Sequence, residues 1–573
     1  MRQLVSLIFG FALISCSVQP DQPDSVILSV VGTNDVHGEL LGERGGLATF
    51  SGYIRALRAQ RETDGALILL DAGDMWQGTL ESNLNEGAQV VQAYNALAYD
   101  AAAIGNHEFD FGPVGDSPIP VSASDDPRGA LKARAREAKF PLLAANLIDH
   151  ERNLPVDWDN VTPSILLERA GLRIGVIGVT TADTLATTIV ANTTGLRIAA
   201  LGQTIETRAM ALRQGGADLV IVAAHAGGGC KELDDPTDLS SCERDAEIFA
   251  VADALPRGLV DHIIAGHRHR FLAHEVNGIA ITSNISGARA FGRVDYTVDR
   301  RTRKITQRRI FLPQLVCAYT APGNPRCAQN DDPGAEIAHY EGMSVTPTDA
   351  LRGIAQRAAQ RADVIKNEPL GVHLDTPFTR ANPPYSTIGR LMTDAIREAT
   401  GTDVAIHNVV GGIRADLPAG ALTFGDVYRA FPFDNRISVL ELSTGELKTL
   451  LANQVHNLSR RAGVSGLHIN VRCVDGAMSI DLERPNGDIA ANDDVFRVVA
   501  NDFLLLGGDN IFTPITPTGG YTLDASQPRV RDVWAQWFRS QPGNLSADDY
   551  GDDAQLRWHL PDPLPTDCHW SGH

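Results

Sequence analysis

Short apolar runs alternate with longer amphipathic stretches over residues 25–315 of the chain. The apolar runs are residues 25–32, 66–71, 101–105, 140–146, 173–181, 218–225, 261–267 and 279–284. Between them, residues 47–63 and 202–216 have the amphipathic pattern that is typical of helices. Continuous apolar strands that alternate with helices indicate buried sheets covered by helices. The pattern therefore predicts an α/β domain over residues 25–335.

A stretch rich in proline, glycine and asparagine at residues 317–336 interrupts this alternation. Residues 346–367 then predict one long helix, which we interpret as the connector within a linker over residues 336–367. A second α/β domain is predicted over residues 368–573. Its landmarks are a helix at 386–400, a strand at 403–408, a strand and helix at 438–455, and a strand and loop at 495–510.

Residues 1–16 predict a signal peptide. Arg2 precedes an apolar core from Leu4 to Ile14, which is too short to span a membrane. The core ends in the sequence LISC, which resembles a bacterial lipobox and makes Cys16 the expected lipidation site. An ordinary secretory signal with a chance cysteine is the alternative. With residues 17–24 as a tether, we expect a lipid-anchored protein of the bacterial cell envelope that faces the periplasm or the cell surface.

The formal net charge is −20 at pH 7. This charge argues against a nucleic acid polymer as partner, because nucleic acid is held mainly by lysine and arginine that neutralise its phosphates. A small phosphorylated substrate stays possible, since a local cluster of metal ions and arginines can hold it. We expect the membrane to be contacted only through the lipid anchor, and the oligomeric state is left open.

The chain has seven cysteines, and six follow Cys16. An even number of cysteines suits an oxidising compartment. As a hypothesis, we predict three disulfide bonds, although six cysteines permit other pairings. The predicted pairs are Cys230 with Cys242, Cys317 with Cys327, and Cys473 with Cys568.

Side chains of the kinds that bind metal ions follow five of the predicted strands. They are Asp35, His37, Asp74, Asn106, His225, His267 and His269. A single histidine at a strand end is more often a core or turn residue than a ligand. Ligand sites in open α/β sheets form at the carboxyl ends of strands, so the recurrence at five strand ends favours a shared metal centre. Mixed imidazole, carboxylate and amide ligands suit zinc, manganese, cobalt or magnesium, and their number predicts two divalent ions.

Two neighbouring cations can clamp the nonbridging oxygens of a phosphate and activate a water for in-line attack on phosphorus. The sequence GNHEFDFG at residues 105–112 places His107 directly after Asn106, with Asp110 three residues later. We expect His107 to stabilise the charge that develops in the transition state and Asp110 to hold its ring. An ordinary turn after a strand is the alternative for this stretch.

Several motifs together resemble known families. In the first domain they are TNDVHG (33–38), DAGDMWQGT (71–79), GNHEFDFG (105–112), AAHAGGG (223–229) and GHRH (266–269), which resemble the calcineurin-like metallophosphatases. In the second domain they are GGIRADLPAG (411–420), FPFDN (431–435) and NDFLLLGGDN (501–510). The whole set is similar to the secreted bacterial 5′-nucleotidase family. The resemblance implies a four-layer metallophosphatase β-sandwich flanked by helices, joined by a long helix to a second α/β nucleotide-binding domain.

The resemblance also implies a role for each residue of the metal centre. One ion would be held by Asp35, His37, Asp74 and His269. The other ion would be held by Asp74, Asn106, His225 and His267, so that Asp74 bridges the two. The catalytic pair would be His107 and Asp110.

For the substrate, the resemblance implies recognition by the second domain. Phe433 and Phe503 would sandwich the base, because every nucleobase offers a π-face. A place in the core is the ordinary alternative for a phenylalanine. The other implied substrate-binding residues are Arg380, Asn408, Arg414, Asn435 and Asp509. Arg380 and Asn408 depart from the spacing in many relatives, which leaves the exact substrate open.

The expected activity is metal-dependent release of phosphate from 5′-nucleotides, with monophosphates first and di- or triphosphates as further candidates. UDP-sugars and 2′,3′-cyclic nucleotides are the alternatives within the family. An alternative of another class is a surface binding lipoprotein that keeps the fold and has lost catalysis. The presence of all seven expected ligands argues against it.

Overall fold

The structure is a computed structural model that describes residues 24–42, 45–115, 117–323, 326–381, 386–457, 461–524, 526–551 and 557–570. The predicted signal peptide, the lipidation site Cys16 and residues 17–23 of the tether lie outside the described residues. Within the described ranges, every helix is too short or too polar to span a bilayer.

Two stacked β-sheets form the centre of the first domain. The strands of one sheet, in spatial order, are Ile305–Ile310, Ala290–Asp299, Ser25–Thr33, Gly65–Asp71, Ala101–Ala103, Leu142–Leu143 and Val161–Thr162, with Gln314–Leu315 paired to Ala290–Asp299. Those of the other are Leu272–Val276, Ile279–Ser283, His262–Ala265, Leu219–His225, Leu172–Thr180 and Ser164–Arg169. Fully buried side chains such as Val30, Ile68, Val176 and Ile221 fill the space between the sheets.

Helices cover the outer faces of both sheets. The helices of this domain are Leu47–Arg61, Leu80–Asn83, Ala88–Leu97, Gly129–Glu137, Val190–Thr193, Leu201–Gln214 and Glu247–Ala254. One apolar cluster joins the first sheet to helices that include Leu47–Arg61 and Ala88–Leu97, and another joins the second sheet to Leu201–Gln214 and Glu247–Ala254. The layers therefore run helix, sheet, sheet, helix, as the four-layer prediction requires.

Smaller elements complete the first domain. They are the 3₁₀ turns His107–Phe109 and Ala182–Ala186, a sheet of Leu196–Ile198, Leu147–Asp149 and Leu154–Pro155, and the ribbons Tyr319–Thr320 with Glu336–Ile337 and His339–Tyr340 with Met343–Ser344.

The predicted long helix spans Asp349–Lys366 and contacts both domains. Leu351, Ala355 and Ala358 pack into the core of the first domain. Near the other end of the helix, Ala362 packs with Leu80 of the first domain and Tyr428 of the second. The helix is therefore a shared packing element between the domains as well as a covalent connector.

The second domain is also of the α/β type. Its strands are Ile437–Ser443, Val495–Asn501, Val404–His407 and Gly463–Ser465 in one sheet, Pro369–Leu374 and Gly420–Thr423 in a second, and Trp558–His559, His468–Val474, Ala477–Glu483 and His569–Trp570 in a third. Its helices and 3₁₀ turns are Thr387–Thr400, Val409–Gly412, Phe424–Ala430, Thr444–Ala452, Asp502–Leu505, Gly508–Asn510, Thr513–Ile515, Val530–Ser540 and Ala547–Tyr550. Thr423 and Ser443 start two of these helices with capping boxes, which satisfy backbone N–H groups at the helix start.

Three disulfide bonds join the six cysteines that follow Cys16. They are Cys230–Cys242, Cys317–Cys327 and Cys473–Cys568, the three predicted pairs.

Candidate metal centre and active site

The seven predicted metal ligands lie together at the carboxyl ends of five strands. Strands Ser25–Thr33, Gly65–Asp71 and Ala101–Ala103 are parallel neighbours in the first sheet, and Leu219–His225 and His262–Ala265 are parallel neighbours in the second. Parallel strands end at the same edge of a sheet, so the residues that follow them meet across the top of the sandwich.

The backbone is left-handed at five of these seven residues. They are Asp35 (φ 51°), His37 (φ 50°), Asp74 (φ 58°), His267 (φ 71°) and His269 (φ 51°). Positive φ is uncommon for residues other than glycine, and such strained positions concentrate at functional sites. The strain turns the chain sharply after each strand and directs the side chains toward one another.

Asp35, His37 and His269 form the first group of candidate ligands. His37 donates its Nδ1 proton to the carbonyl oxygen of Gln77 at 2.8 Å. Its Nε2 atom therefore presents a lone pair, 3.2 Å from Nε2 of His269, which itself lies 3.2 Å from Oδ1 of Asp35. Burial favours a higher pKa for Asp35, but the charge and hydrogen bond of His269 outweigh it and hold that pKa below its usual range.

Asp74, His225 and His267 form the second group, with Asn106 beside them. His225 donates its Nδ1 proton to the carbonyl of Ala72 at 2.9 Å. Its Nε2 atom faces Oδ2 of Asp74 at 3.1 Å and Oδ1 of Asn106 at 2.9 Å. The same amide oxygen lies 3.2 Å from Nδ1 of His267. Burial lowers the pKa of His225, but the Asp74 carboxylate raises it more, to about 10.

Both groups fit divalent cations. Each combines imidazole nitrogen with carboxylate oxygen, a donor set that zinc, manganese and cobalt accept. In each group one histidine gives its other ring proton to a backbone carbonyl, which is the usual outer contact of a metal-binding histidine. A cation bound at Nε2 of His225 would take the place of the proton that the Asp74 carboxylate favours there.

His107 and Asp110 lie next to the second group. Nδ1 of His107 is 2.6 Å from Oδ2 of Asp110, and the backbone N–H of His107 donates to Oδ1 of Asp74 at 2.9 Å. On the opposite side of the ring, Nη2 of Arg414 donates to Nε2 at 2.7 Å. The imidazole is thus held between a carboxylate of its own domain and a guanidinium of the second domain.

A cavity opens between the two domains at this point. Its wall includes the candidate ligands Asp74, Asn106, His267 and His269, together with His107 and Asp110. Six of the seven predicted substrate-binding residues also line it, namely Asn408, Arg414, Phe433, Asn435, Phe503 and Asp509. Arg380, the seventh, is not among the described residues that line this cavity; its side chain lies 3.5 Å from Asp416 instead.

The polar residues of the second domain are tied to one another. Asn408 donates to Oδ2 of Asp509 at 2.9 Å, and Asn435 donates to Oδ1 of Asp502 at 3.1 Å. The ring of Phe433 lies 5.8 Å from that of His107, centroid to centroid, and Arg414 lies over its face. The aromatic side of the cavity is therefore continuous with the metal side.

Sequence reasoning passed over several residues of the site. Glu108 is buried and accepts the backbone N–H groups of Asp74, Met75 and Gly105 at 2.7 to 2.9 Å, so it joins two of the ligand loops. Burial and the Asp74 carboxylate raise the pKa of Glu108 to about 8, against the three N–H groups that favour its charged form. The position of Glu108 inside the GNHEFDFG motif was the sequence feature that could have indicated this role.

No pattern in the sequence predicted the contacts that join the domains and the connecting helix. The side chains of Gln77 and Asn83 each donate to the carbonyl of Pro432 at 3.1 Å, and Lys366 pairs with Glu81 at 2.7 Å. The two hydrogen bonds to Pro432 hold the Phe433 loop against the metal side of the cavity, and the Lys366–Glu81 pair holds the connecting helix against the first domain.

Paired carboxylate and imidazole groups at the strand ends of this sandwich define a phosphoester hydrolase of the metal-dependent class. The family model for the calcineurin-like phosphoesterases matches residues 28–271, and that for the 5′-nucleotidase C-terminal domain matches residues 364–516. The chain belongs to the family that combines these two domains, the 5′-nucleotidases.

Individual relatives agree with this assignment. The chain is 24% identical to a 5′-nucleotidase of Vibrio cholerae over 556 residues, which cover 91% of this chain and 93% of that protein. It is 27% identical over 532 residues to a trifunctional nucleotide phosphoesterase of Bacillus subtilis, and the match covers 86% of this chain but only 33% of that longer protein. The fold is similar to the crystal structure of a 5′-nucleotidase precursor from Thermus thermophilus, with a TM-score of 0.68, 22% identity, and coverage of 93% of this chain and 99% of that one.

Proposed function

We propose that this protein hydrolyses 5′-nucleotides, nucleoside monophosphates first, with the phosphate held at the metal groups and the base held by the second domain. The observation that carries the proposal is the single cavity that joins Asp74, Asn106 and His267 to Phe433 and Phe503. A phosphate and a base belong to the same small molecule in a nucleotide, so one cavity with these two sides suits that substrate class.

Divalent cations bound by the two groups would supply positive charge that neutralises a phosphate and makes a water a better nucleophile. The protein's own residues orient the substrate and stabilise the charge on its phosphate. Asp110 fixes the ring of His107 at Nδ1. Once Arg414 has turned from Nε2 of His107 to the phosphate and Nε2 is protonated, that N–H can donate to the phosphate and stabilise its charge. Arg414 brings a guanidinium to the same place, where it can pair with phosphate oxygens.

Phe433 and Phe503 provide apolar faces for a base, while Asn408 and Asp509 provide polar atoms for the sugar or base. As part of the same proposal, Cys16 carries a lipid that holds the enzyme at the bacterial cell envelope. Mass spectrometry of the N-terminal peptide, with an unmodified Cys16 as the contrary result, tests that part.

A substrate panel tests the proposed activity. The purified protein, supplied with manganese or zinc, is offered nucleoside mono-, di- and triphosphates, a UDP-sugar, a 2′,3′-cyclic nucleotide and ribose 5-phosphate, and released phosphate is measured. We expect the highest kcat/KM with monophosphates, loss of turnover with a chelator, and recovery when metal is restored. Preference for the UDP-sugar or the cyclic nucleotide would assign it to those alternatives, and failure on every compound would favour a binding lipoprotein.

Replacing Gly508 with alanine should weaken nucleotide binding. A Cβ atom at Gly508 would lie 2.5 Å from Cε1 and Cζ of Phe503, so the ring must move. Stacking is worth roughly 1 kcal/mol or more for each base, so we expect KM for a monophosphate to rise by about fivefold or more. KM for ribose 5-phosphate, which has no base, should stay unchanged.

Gly445→Ala is the matched control, because a Cβ atom there meets no neighbouring atom within 4 Å. An unchanged KM for nucleotides in Gly508→Ala would show that Phe503 does not stack on the base.

A further inference from the structure

A short segment of the first domain touches both sides of the catalytic turn at residues 106–110. Thr187 and Thr188 lie between the 3₁₀ turn Ala182–Ala186 and the helix Val190–Thr193. The carbonyl of Thr187 accepts a hydrogen bond from Nδ2 of Asn106 at 2.9 Å. The hydroxyl of Thr188 donates to Oδ1 of Asp110 at 2.8 Å. Two adjacent residues thus hold a candidate metal ligand and a member of the catalytic pair.

Each of these contacts fixes the direction of a side chain. Because Nδ2 of Asn106 is bonded to Thr187, the amide oxygen must point the other way, toward His225 and His267. Asp110 uses Oδ2 for His107 and Oδ1 for Thr188, so its carboxylate cannot rotate without losing a bond. Thr188 is only 1% exposed and Asp110 only 8%, and a buried carboxylate oxygen that loses its donor has little water to replace it.

The segment is itself anchored at both ends. Before it, the hydroxyl of Thr181 donates to Glu247 at 2.6 Å. After it, the fully buried side chain of Asn192 donates to the carbonyls of Phe109 and Pro118, each at 2.8 Å. The second of these anchors ties the segment to the catalytic turn. The segment can therefore act as a rigid support for Asn106 and Asp110.

We propose that Thr188 is a positioning residue for phosphoester hydrolysis, which orients the carboxylate of Asp110 so that Asp110 in turn holds the ring of His107 toward the cavity. The proposal deepens the proposed function, but it requires only that the protein cleaves a phosphoester and not that the natural substrate is a nucleotide.

Thr188→Val tests the proposal, because valine keeps the shape of threonine and removes the hydroxyl. We expect kcat to fall about tenfold, the scale of a buried hydrogen bond to a charged group, with KM and metal content nearly unchanged. Thr188→Ser, which restores the hydroxyl, should recover most of kcat. In an Asp110→Asn background, the same valine substitution should cost much less, because the two residues act as one unit.

Thr193→Val is the matched control. Thr193 is a buried threonine of the neighbouring helix whose hydroxyl bonds the carbonyl of Val190 at 3.1 Å, and it lies outside the cavity wall. If Thr193→Val lowers kcat as much as Thr188→Val does, the loss comes from a general loosening of the segment, and the proposal is overturned. An equal cost of Thr188→Val with and without Asp110 would overturn the proposal, as would no cost at all.

A second readout does not depend on turnover. The Nδ1 proton of His107, shared with a carboxylate, is followed by proton NMR, and its resonance should shift in Thr188→Val and stay in place in Thr193→Val. An unmoved resonance in Thr188→Val would overturn the positioning role even if no substrate in the panel is cleaved. Inactivity of the unmodified protein on all nucleotides would instead contradict the proposed substrate class.

Discussion

Replacing Asp74 with asparagine will remove bound metal and lower kcat/KM by about a thousandfold or more. Oδ2 of Asp74 faces His225 at 3.1 Å, while Oδ1 accepts the backbone N–H of His107 at 2.9 Å, so one carboxylate serves the second ligand group and the catalytic turn. Asparagine is nearly the same size but neutral. Loss of the negative charge of a residue that would hold a divalent cation should cost about 4 kcal/mol of transition-state stabilisation, which corresponds to about three orders of magnitude in rate.

Elemental analysis of metal per chain and steady-state kinetics with a nucleoside monophosphate measure this result. Asp71→Asn is the matched control, since Asp71 is a buried carboxylate at the end of the strand Gly65–Asp71, three residues before Asp74. Asp71 bonds Thr33, Tyr94 and Gly73 rather than the candidate ligands, and burial raises its pKa to about 7. The metal content of the Asp71→Asn variant should equal that of the unmodified protein. An Asp74→Asn variant that keeps full metal and full turnover would refute the shared metal centre.

The location of the candidate metal centre was predictable because strand topology determines it. Apolar runs identify the strands, and parallel strands end at one edge of their sheet, so Asp74 and Asn106 had to share an edge of the first sheet. His225 and the residues after His262–Ala265 had to share an edge of the second sheet, and the stacking of the two sheets brings these edges together. The left-handed backbone at Asp35 and His269 was not predictable. These residue types tolerate that conformation, but whether they adopt it depends on packing against loops that are distant in the sequence.

The contacts that support the candidate site could not be predicted from the sequence, for a related reason. Thr188 lies in a segment without hydrophobic periodicity, and nothing in its sequence indicates that it reaches Asp110, 78 positions away. The hydrogen bonds from Gln77 and Asn83 to Pro432 join residues of different domains. Local patterns describe each domain separately, whereas the relative placement of the domains follows from many weak contacts along the connecting helix and the cavity.

The two arginines predicted for substrate binding illustrate this limit. Both Arg380 and Arg414 were predicted to bind substrate, although the spacing of Arg380 departs from that in many relatives. Only Arg414 lines the cavity wall in the described part of the chain. Arg414 bonds His107, and Arg380 lies beside Asp416 near the surface. The sequence identified the residue type that a phosphate site needs, and the packing of the domains shows which of the two arginines lies at the cavity.

Replacing Arg414 with alanine should therefore lower kcat/KM for a nucleoside monophosphate by about 10- to 100-fold. Without substrate, the guanidinium donates to Nε2 of His107 at 2.7 Å, and a phosphate is the stronger acceptor. A charge-assisted hydrogen bond in a buried site is worth roughly 1.5 to 3 kcal/mol, which gives the expected range. Arg414→Lys should recover part of the loss, because lysine keeps the charge but not the planar fork that matches phosphate.

Arg380→Ala provides the internal comparison, with kcat and KM measured for both variants on the same substrate. If the arrangement of the domains in this structure is the one that turns over substrate, Arg380→Ala should cost much less than Arg414→Ala, because Arg380 already has a carboxylate partner outside the cavity. Equal losses would mean that the domains move during turnover and bring Arg380 to the phosphate. The ratio of the two effects thus reports which arrangement of the domains performs the chemistry.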